Sequence, residues 1–593
     1  MYFATIVPHF VTEENMHIKK RSSAAAALAV ACLLPSAYAA DAPLTWWAVP
    51  PMSDIQRLPD VEPADVPTGG VVRIRLARGE YEPGSFVVKA DADLGKVAFN
   101  LGAFTNEKGE AFPASQLDLK VVKVWYQNRN AWFCYFGDTG FKLCPELLLN
   151  DEDLIRVDEA KEANYARLTA PDGTVTERWI NPPRQMDRRS NYWRGSKPFQ
   201  PMKANFRDAK TLQPVRLEKG RCKQFFLTVH AVADTPAGLY KGAVTVAGTR
   251  IPVEIEVLPF ELPAPRSYLE PTKDFYVSAY NYLQIDHVMQ QNGNDRDLAV
   301  KQLTAILRDQ VEHNQNMHWG LWDGSHFDDV LGAMKEAGMR TDVVMAGGVA
   351  DRRFNTQADL EAHARRLRAY YERKMPGATI YLGFGDEPPQ KWLMENRPIF
   401  EAYRKAGFKF VIAGTDNVFL RNGYLYDWLN ASQDPVEDAK PKLWNTIGPA
   451  HVAWYSTHHV GPENPSFNRR QNGLAPYLSN YSALCNYAHH LGPYNDDSTT
   501  YRPMVFAYGI YDGVIDTLQW EGFREGVDDI RYMTLMCELT RAARDSGDSV
   551  IDEEGRKALL FLGGVDKAHD DQDYVRGEVI RHILHLRKIL GRQ

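Results

Sequence analysis

ATIYLGFGDEPP, residues 378–389, reads as a short apolar strand that stops on two carboxylates, Asp386 and Glu387, and then on two prolines. Pro388 and Pro389 cannot donate ladder hydrogen bonds, and Pro388 biases Glu387 toward extended backbone. Gly383 and Gly385 leave space beside the strand end. Two acids placed this way have two readings. They can cap the helix predicted from about residue 390, whose first turn favours negative charge. They can also be the acid–base machinery of a barrel of alternating strands and helices, which keeps its chemistry at strand ends. Because neighbours on a strand point to opposite faces, both acids reach one site only if the ladder ends there, which the prolines favour.

The same alternation recurs on both sides of this stretch. A strand over 274–279, a helix over 296–312, a strand over 317–322, a helix over 327–337, a strand over 342–345 and a helix over 358–373 precede it. A helix over 392–406 and a strand over 409–413 follow, the latter running into Gly414-Thr415-Asp416-Asn417. Alternating units imply a parallel sheet with right-handed crossovers. Their number favours a closed (β/α)8 barrel over an open nucleotide-binding sheet, and no GxGxxG opens a helix after the first strand. In a barrel, the polar and aromatic residues at strand ends become candidates for substrate contact: Trp322, Asp323, Asp416, Asn417, Tyr455, Glu463 and Glu521. Asp416-Asn417 reads equally well as a turn.

Upstream, residues 43–262 are strand-rich. Val72, Ile74 and Leu76 alternate with Arg73 and Arg75, the period of a half-buried strand. Strands over 224–232, 242–246 and 251–257 are separated by Pro236-Ala237-Gly238 and Gly248-Thr249. Close-spaced strands without a long amphipathic helix imply a β-sandwich. Residues 127–201 look less regular. There Arg188, Arg189 and Arg194 surround Tyr192 and Trp193, a pattern that fits a solvated loop with an aromatic anchor or a loop reaching over a ligand. The proline-rich run from Leu258 to Pro265 marks the domain boundary. Downstream, Arg524 with Asp528 and Asp528 with Arg531 have helical pair spacing. Tyr532, Leu535, Met536 and Leu539 form an apolar stripe, which Ile580, Ile583, Leu584 and Leu590 repeat in a last helix.

Bulk properties narrow the function. A formal net charge of −7 argues against chain-wide affinity for nucleic acid. No stretch after the N-terminus approaches the roughly 18 apolar residues of a membrane span. Lys19, Lys20 and Arg21 before an apolar run over 24–34, with Ala37-Tyr38-Ala39 before Asp41, read as a secretory signal, which predicts a periplasmic or extracellular protein. Glu13 and Glu14 do not suit a signal's first segment, so Met16 is a candidate start. Cys32 follows Ala29 where lipid anchoring wants a larger aliphatic residue, so no anchor is expected. Cys134 and Cys144 are close enough in sequence to close a small disulfide loop. With no CxxC or HExxH, and with histidine doublets at 458–459 and 489–490 that lack ligand spacing, neither a metal nor a cofactor is expected.

Five runs resemble glycoside hydrolase family 123 and related secreted proteins. They are GFGDEP (383–388), RRQNGL (469–474), TLQWEGFREGVDDIRY (517–532), PAGLYKGAVTV (236–246) and PFELP (259–263). The resemblance implies a β-sandwich joined to a (β/α)8 barrel, with retaining β-N-acetylgalactosaminidase activity assisted by the substrate. No protein nucleophile is then needed, because the sugar's 2-acetamido oxygen closes onto the anomeric carbon. Mapped onto the shared motif, Glu387 is the general acid and later the base, and Asp386 orients the acetamido group. The chain departs from the pattern at APYLSNYSALCNYAHH (475–490), where related chains carry tryptophans; Tyr477, Tyr481 and Tyr487 are the aromatic residues available for a sugar floor.

The expected organisation is an N-terminal extension and signal over 1–39, a sandwich over 40–262 with an insertion near 127–201, a catalytic barrel over 263–540 and packed helices over 541–593. The expected function is an exported exo-glycosidase acting on a β-linked N-acetylhexosamine of a glycan or glycoconjugate. A glycosidase for a sugar without the acetamido group would instead need a carboxylate nucleophile about 5–5.5 Å from Glu387; Asp416, Glu463 and Glu521 are the candidates. A third reading is a carbohydrate-binding protein without catalysis.

Overall fold

Val72, Ile74 and Leu76 are buried while Arg73 and Arg75 reach solvent, and this alternation builds the first layer. The computed structural model describes residues 43–128, 141–180, 206–281, 285–321, 324–347, 349, 354–414, 423–431, 450–455, 464–490 and 505–592. A five-stranded antiparallel sheet runs in the order Leu44–Val49, Glu80–Ala90, Cys222–Ala231, Leu117–Asn128, Phe141–Leu149. A four-stranded sheet, ordered Val72–Arg78, Thr249–Glu261, Gly238–Val246, Phe99–Leu101, faces it. Phe86, Val88, Phe225 and Leu227 of the first sheet share one apolar core with Ile74, Tyr240, Val244 and Val253 of the second, which is the packing of a sandwich.

Two expectations about this half change. The stretch expected to be irregular contributes Phe141–Leu149 to the main sheet and a small sheet of Ile155–Asp158, Ala163–Thr169 and Val175–Trp179. The Arg188–Arg194 run and Cys134 lie outside the described residues. The last sandwich strand does not stop before Leu258. It bulges after Val257 and pairs again at Glu261 with Arg78, so Pro259 lies within it. A bulge leaves unpaired positions, and a proline fits there without losing a ladder bond.

Beyond Pro263 eight parallel strands follow: β1 (Tyr276–Asn281), β2 (Trp319–Leu321), β3 (Val343–Ala346), β4 (Thr379–Asp386), β5 (Lys409–Gly414), β6 (Trp428–Ala431), β7 (His451–Trp454) and β8 (Ala483–His490). Each pairs with its sequence neighbour from β2 to β8, and β8 pairs with β1. Among the described residues, the seam between β1 and β2 has no ladder. Asn316 stitches it: its Oδ1 accepts from Val277 N at 2.8 Å, its Nδ2 donates to Phe275 O at 3.1 Å, and its own N donates to Val277 O at 3.0 Å. The expected (β/α)8 barrel is therefore present, nearly closed. Helices Arg296–Glu312 and Phe327–Ala337 match their expected bounds. The helix expected over 392–406 divides at Asn396 into Gln390–Glu395 and Arg397–Lys405, because Pro398 suits only the first turn of a new helix.

Helix Leu518–Asp545 spans the junction of the two layers, and helices Ser549–Gly564 and Gln572–Ile589 pack on it. Its charge pairs form only in part: Arg531 binds Asp528 at 2.7 Å, but Arg524 turns to Glu521. In the last helix Leu584 is exposed, and Val579, Ile580, Ile583 and Leu586 carry the apolar stripe instead. No described helix is long and apolar enough to cross a membrane.

Candidate active site at the barrel mouth

Strand β4 carries the acids, and its side chains explain their placement. Ile380, Leu382 and Phe384 point outward into the helix layer, and Phe384 packs on Trp392, Phe400 and Phe410. Tyr381 points into the barrel. Strict alternation would then send Asp386 and Glu387 to opposite faces. Three features break it: a register shift between Gly383 and Asp386, φ +82° at Gly385 and φ +43° at Glu387. The ladder ends at Asp386, paired with Ala413, where the prolines placed its end. A side chain at Gly385 is excluded twice over, since its Cβ would lie 2.7 Å from the Trp392 ring and its φ is left-handed. At Glu387 a left-handed conformation on a non-glycine residue is a strained feature of the kind that clusters at functional sites.

Tyr455, just past β7 and buried, donates its Oη to Glu387 Oε1 at 3.4 Å. Its own N is held by Ala431 O at 2.8 Å. Beneath it the barrel interior is aromatic. Tyr280 of β1 lies 5.5 Å from Tyr455, 5.4 Å from Tyr487 and 4.0 Å from Trp319, measured between ring centroids. Asn430 of β6 donates to Tyr280 Oη at 3.0 Å while accepting from Trp428 Nε1 at 2.6 Å, which fixes the amide's orientation. One layer lower, Tyr276 stacks on Trp428 and meets Tyr381 and His451. The interior is a filled plug with a polar and aromatic top.

The acids differ electrostatically. Both keep an open face toward solvent, yet the protein around them raises both above the usual carboxylic range. For Asp386 burial is the cause. For Glu387 burial is joined by the negative charge of Asp386, with the Tyr455 bond pulling the other way. An ionised Asp386 thus favours the protonated form of Glu387, and the Tyr455 bond opposes it. Burial, with the charges of Glu387 and Asp386, also pushes the Tyr455 phenol far up, so it remains a donor.

The other candidates divide. Tyr487 joins the floor through Tyr280. Tyr477 and Tyr481 do not: both are fully buried in the helix layer, and Tyr477 Oη sits 3.9 Å from Cys537 Sγ. Aromatic residues around a short helix serve its packing, so the expected floor reduces to Tyr487. Glu521 is not brought to Glu387. It is buried at the start of helix Leu518–Asp545, paired with Arg524 and 3.5 Å from His313 Nε2. Trp322, Asp323, Asp416, Asn417 and Glu463 lie outside the described residues. Tyr280, Trp319 and Asn430 were not anticipated. The period-two placement of Tyr276, Ser278 and Tyr280 in YVSAYN was the available signal.

Among the described residues one group, Asp309, His313 and Asp516, has ligand atoms within 4.8 Å of one another. It fits a metal poorly. Lys120 Nζ is 3.2 Å from Asp516, and His313, despite its burial, is raised to about 10 by Asp309 and Glu521. These groups already neutralise one another.

Comparison with protein-family models gives no match, and comparison with curated proteins gives none. Among solved structures, a family 123 glycoside hydrolase from Clostridium perfringens, described for glycolipid glycan hydrolysis, is similar over 93% of this chain and 98% of its own. The identity is 10% and the TM-score 0.61. The likeness is one of fold, and it extends across the sandwich and the barrel alike. A Bacteroides uniformis β-glucuronidase (10% identity, 78% of this chain and 49% of that chain, TM-score 0.25) and a GH20 exo-β-N-acetylglucosaminidase from Vibrio harveyi (7%, 66% and 82%, TM-score 0.20) align too loosely to define a shared fold.

Proposed function

We propose that this chain is a retaining exo-glycosidase that hydrolyses a β-linked N-acetylhexosamine, N-acetylgalactosamine foremost, with the substrate's acetamido group as the nucleophile. The observation that carries this reading is the β4 terminus. A bulge and two left-handed residues turn Asp386 and Glu387 to the barrel mouth, beside Tyr455. The likeness of fold to the Clostridium perfringens enzyme supports the same class. The domain limits set out above, a sandwich to residue 262 and a barrel from 263 to 540, belong to this proposal, as does export by the signal over 19–39.

The chemistry follows from the two environments. Glu387, in its protonated form, gives its proton to the glycosidic oxygen as the bond to the anomeric carbon breaks. The acetamido oxygen attacks that carbon from the opposite face and closes an oxazolinium ring. Asp386, as the carboxylate, accepts a hydrogen bond from the acetamido N–H and offsets the positive charge of the ring. Glu387, now a carboxylate, takes a proton from water as its oxygen opens the ring, and the two inversions restore the β configuration. Tyr455 holds Glu387 in place, and the rings of Tyr280, Trp319 and Tyr487 offer apolar faces beneath the sugar.

The test compares 4-nitrophenyl N-acetyl-β-galactosaminide with 4-nitrophenyl β-galactoside. Cleavage of the first alone, inhibited by a thiazoline analogue of the cyclic intermediate, is expected. Equal cleavage of the galactoside would remove acetamido participation.

A further inference from the structure

A second polar cavity lies in the sandwich, far along the chain from the barrel acids. It has a volume of about 140 Å³, room for several waters or one small anion, where the main sheet meets the segment carrying Glu152 and the strand Val215–Leu217. Arg57, Lys123, Arg216, Arg221 and Lys223 line it. Two of these cations have their own carboxylates: Arg57 binds Asp65 through two hydrogen bonds of 2.5 and 2.7 Å, and Arg221 binds Asp60 and Glu159. The other three gather around one buried acid, Glu152. One of its oxygens accepts from Arg216 N and the other from Lys223 Nζ. Lys123 Nζ is left with the neutral carbonyl of Glu152 at 3.0 Å. Arg216 and Glu218 are both exposed and stand on the rim, and the Arg216 guanidinium has no ion-pair partner among the described residues.

Two observations indicate that something is meant to enter. Arg57 is nine-tenths buried, and its Nε has no hydrogen-bond partner; a buried guanidinium donor left unpaired is costly. Lys123 is pulled down to about 8, mainly by burial, with the charge of Glu152 opposing and the like charge of Lys223 adding to the fall. An anion in the cavity would satisfy both groups at once.

We propose that this cavity is a binding site for a single oxyanion, a sulfate or carboxylate group, held by Lys123, Arg216 and the free edge of Arg57. Such a group can arrive as a free ion or as the acidic substituent of a glycan. The inference does not depend on the barrel reading, and its test uses binding rather than hydrolysis.

The full-length protein is titrated calorimetrically with sodium sulfate, galactose 6-sulfate and, as neutral control, galactose, at matched ionic strength. Saturable binding of both sulfates and none of galactose is expected. Lys123→Met and Arg216→Met should each weaken sulfate binding about tenfold, the worth of one charge-assisted contact, while leaving the ligand-free melting temperature and barrel activity in place. Tighter binding of galactose 6-sulfate than of sulfate assigns the site to a glycan substituent, and equal affinity assigns it to the free ion. Absence of saturable binding by the unaltered protein, or variants that bind as it does, overturns the proposal. A second readout guards against misfolded variants. In the unaltered protein carrying 13C-dimethylated lysines, saturating sulfate should move the Lys123 titration upward, and a midpoint that stays in place would equally overturn it.

Discussion

Two assemblies of acids in this molecule follow opposite rules. Helix Leu518–Asp545 carries Glu521, Glu525, Asp528 and Asp529, all buried, and each faces an arginine. Asp529 alone receives Arg469 Nε at 2.8 Å and Arg576 Nε at 2.5 Å, and Arg576 also reaches Glu525 and Glu82 at 2.7 and 2.8 Å. At the barrel mouth, Asp386 and Glu387 have no arginine or lysine partner among the described residues, only the Tyr455 phenol. Acids answered by buried guanidinium groups hold layers together, because losing either partner strands the other. Acids left facing one another at an open mouth have proton affinities set by environment alone, which is what acid–base chemistry requires.

The contrast can be broken at four places. Glu387→Gln should cost the most, about 10³–10⁴ in kcat/KM toward a substrate with a poor leaving group, the range for losing a positioned general acid; unfolding in urea should be unchanged. Arg576→Met should do the reverse, lowering stability in urea by about 3–5 kcal/mol because the buried Asp529 and Glu525 and the half-buried Glu82 lose a partner, with kcat per folded molecule preserved. Asp386→Asn should lower kcat/KM about a hundredfold, the scale for losing one preorganised stabilising group. It should also draw the basic limb of the pH–rate profile to lower pH, since the charge of Asp386 helps keep Glu387 protonated. Tyr455→Phe should move that limb the other way, upward, because it deletes the bond that favours ionised Glu387, with a rate loss of only a few-fold. Limbs moving in the same direction in the last two variants would contradict the division of roles between the acids.

The same contrast explains what could be read from the chain alone. The strand–helix order was legible because each element buries its apolar residues at its own period, and for Arg296–Glu312 this located both ends. Two of the resembling runs, RRQNGL and TLQWEGFREGVDDIRY, pack on one another. A Cβ at Gly473 would lie 2.6 Å from Gly526 O, one at Gly526 would lie 2.5 Å from Arg469 O, and Arg469 is bonded to Asp529. These motifs mark a close helix contact rather than the reacting groups, so they report the scaffold. The acids were visible as a pair, but not the way they converge. A left-handed glutamate leaves no mark in a sequence, and the Trp392 ring and the φ that together require glycine at 385 show only in the fold. Tyr280, Trp319 and Asn430 meet only after the barrel curls, and the partner that removes Glu521 from the site, His313, belongs to a different helical unit.

The stitch at Asn316 has a consequence in time as well as in space. Seven sides of the ring are held by strand ladders, while among the described residues the eighth is held by the Asn316 side chain and by the N–H groups of Asn316 and Met317 on Val277 O. A ring so made has a preferred place to part, and the amide of Val277 is its gauge. In deuterium exchange that N–H should release its proton well before those of β4 and β5. Asn316→Ala should widen the interval while leaving the far wall, and the acids mounted on it, slow to exchange.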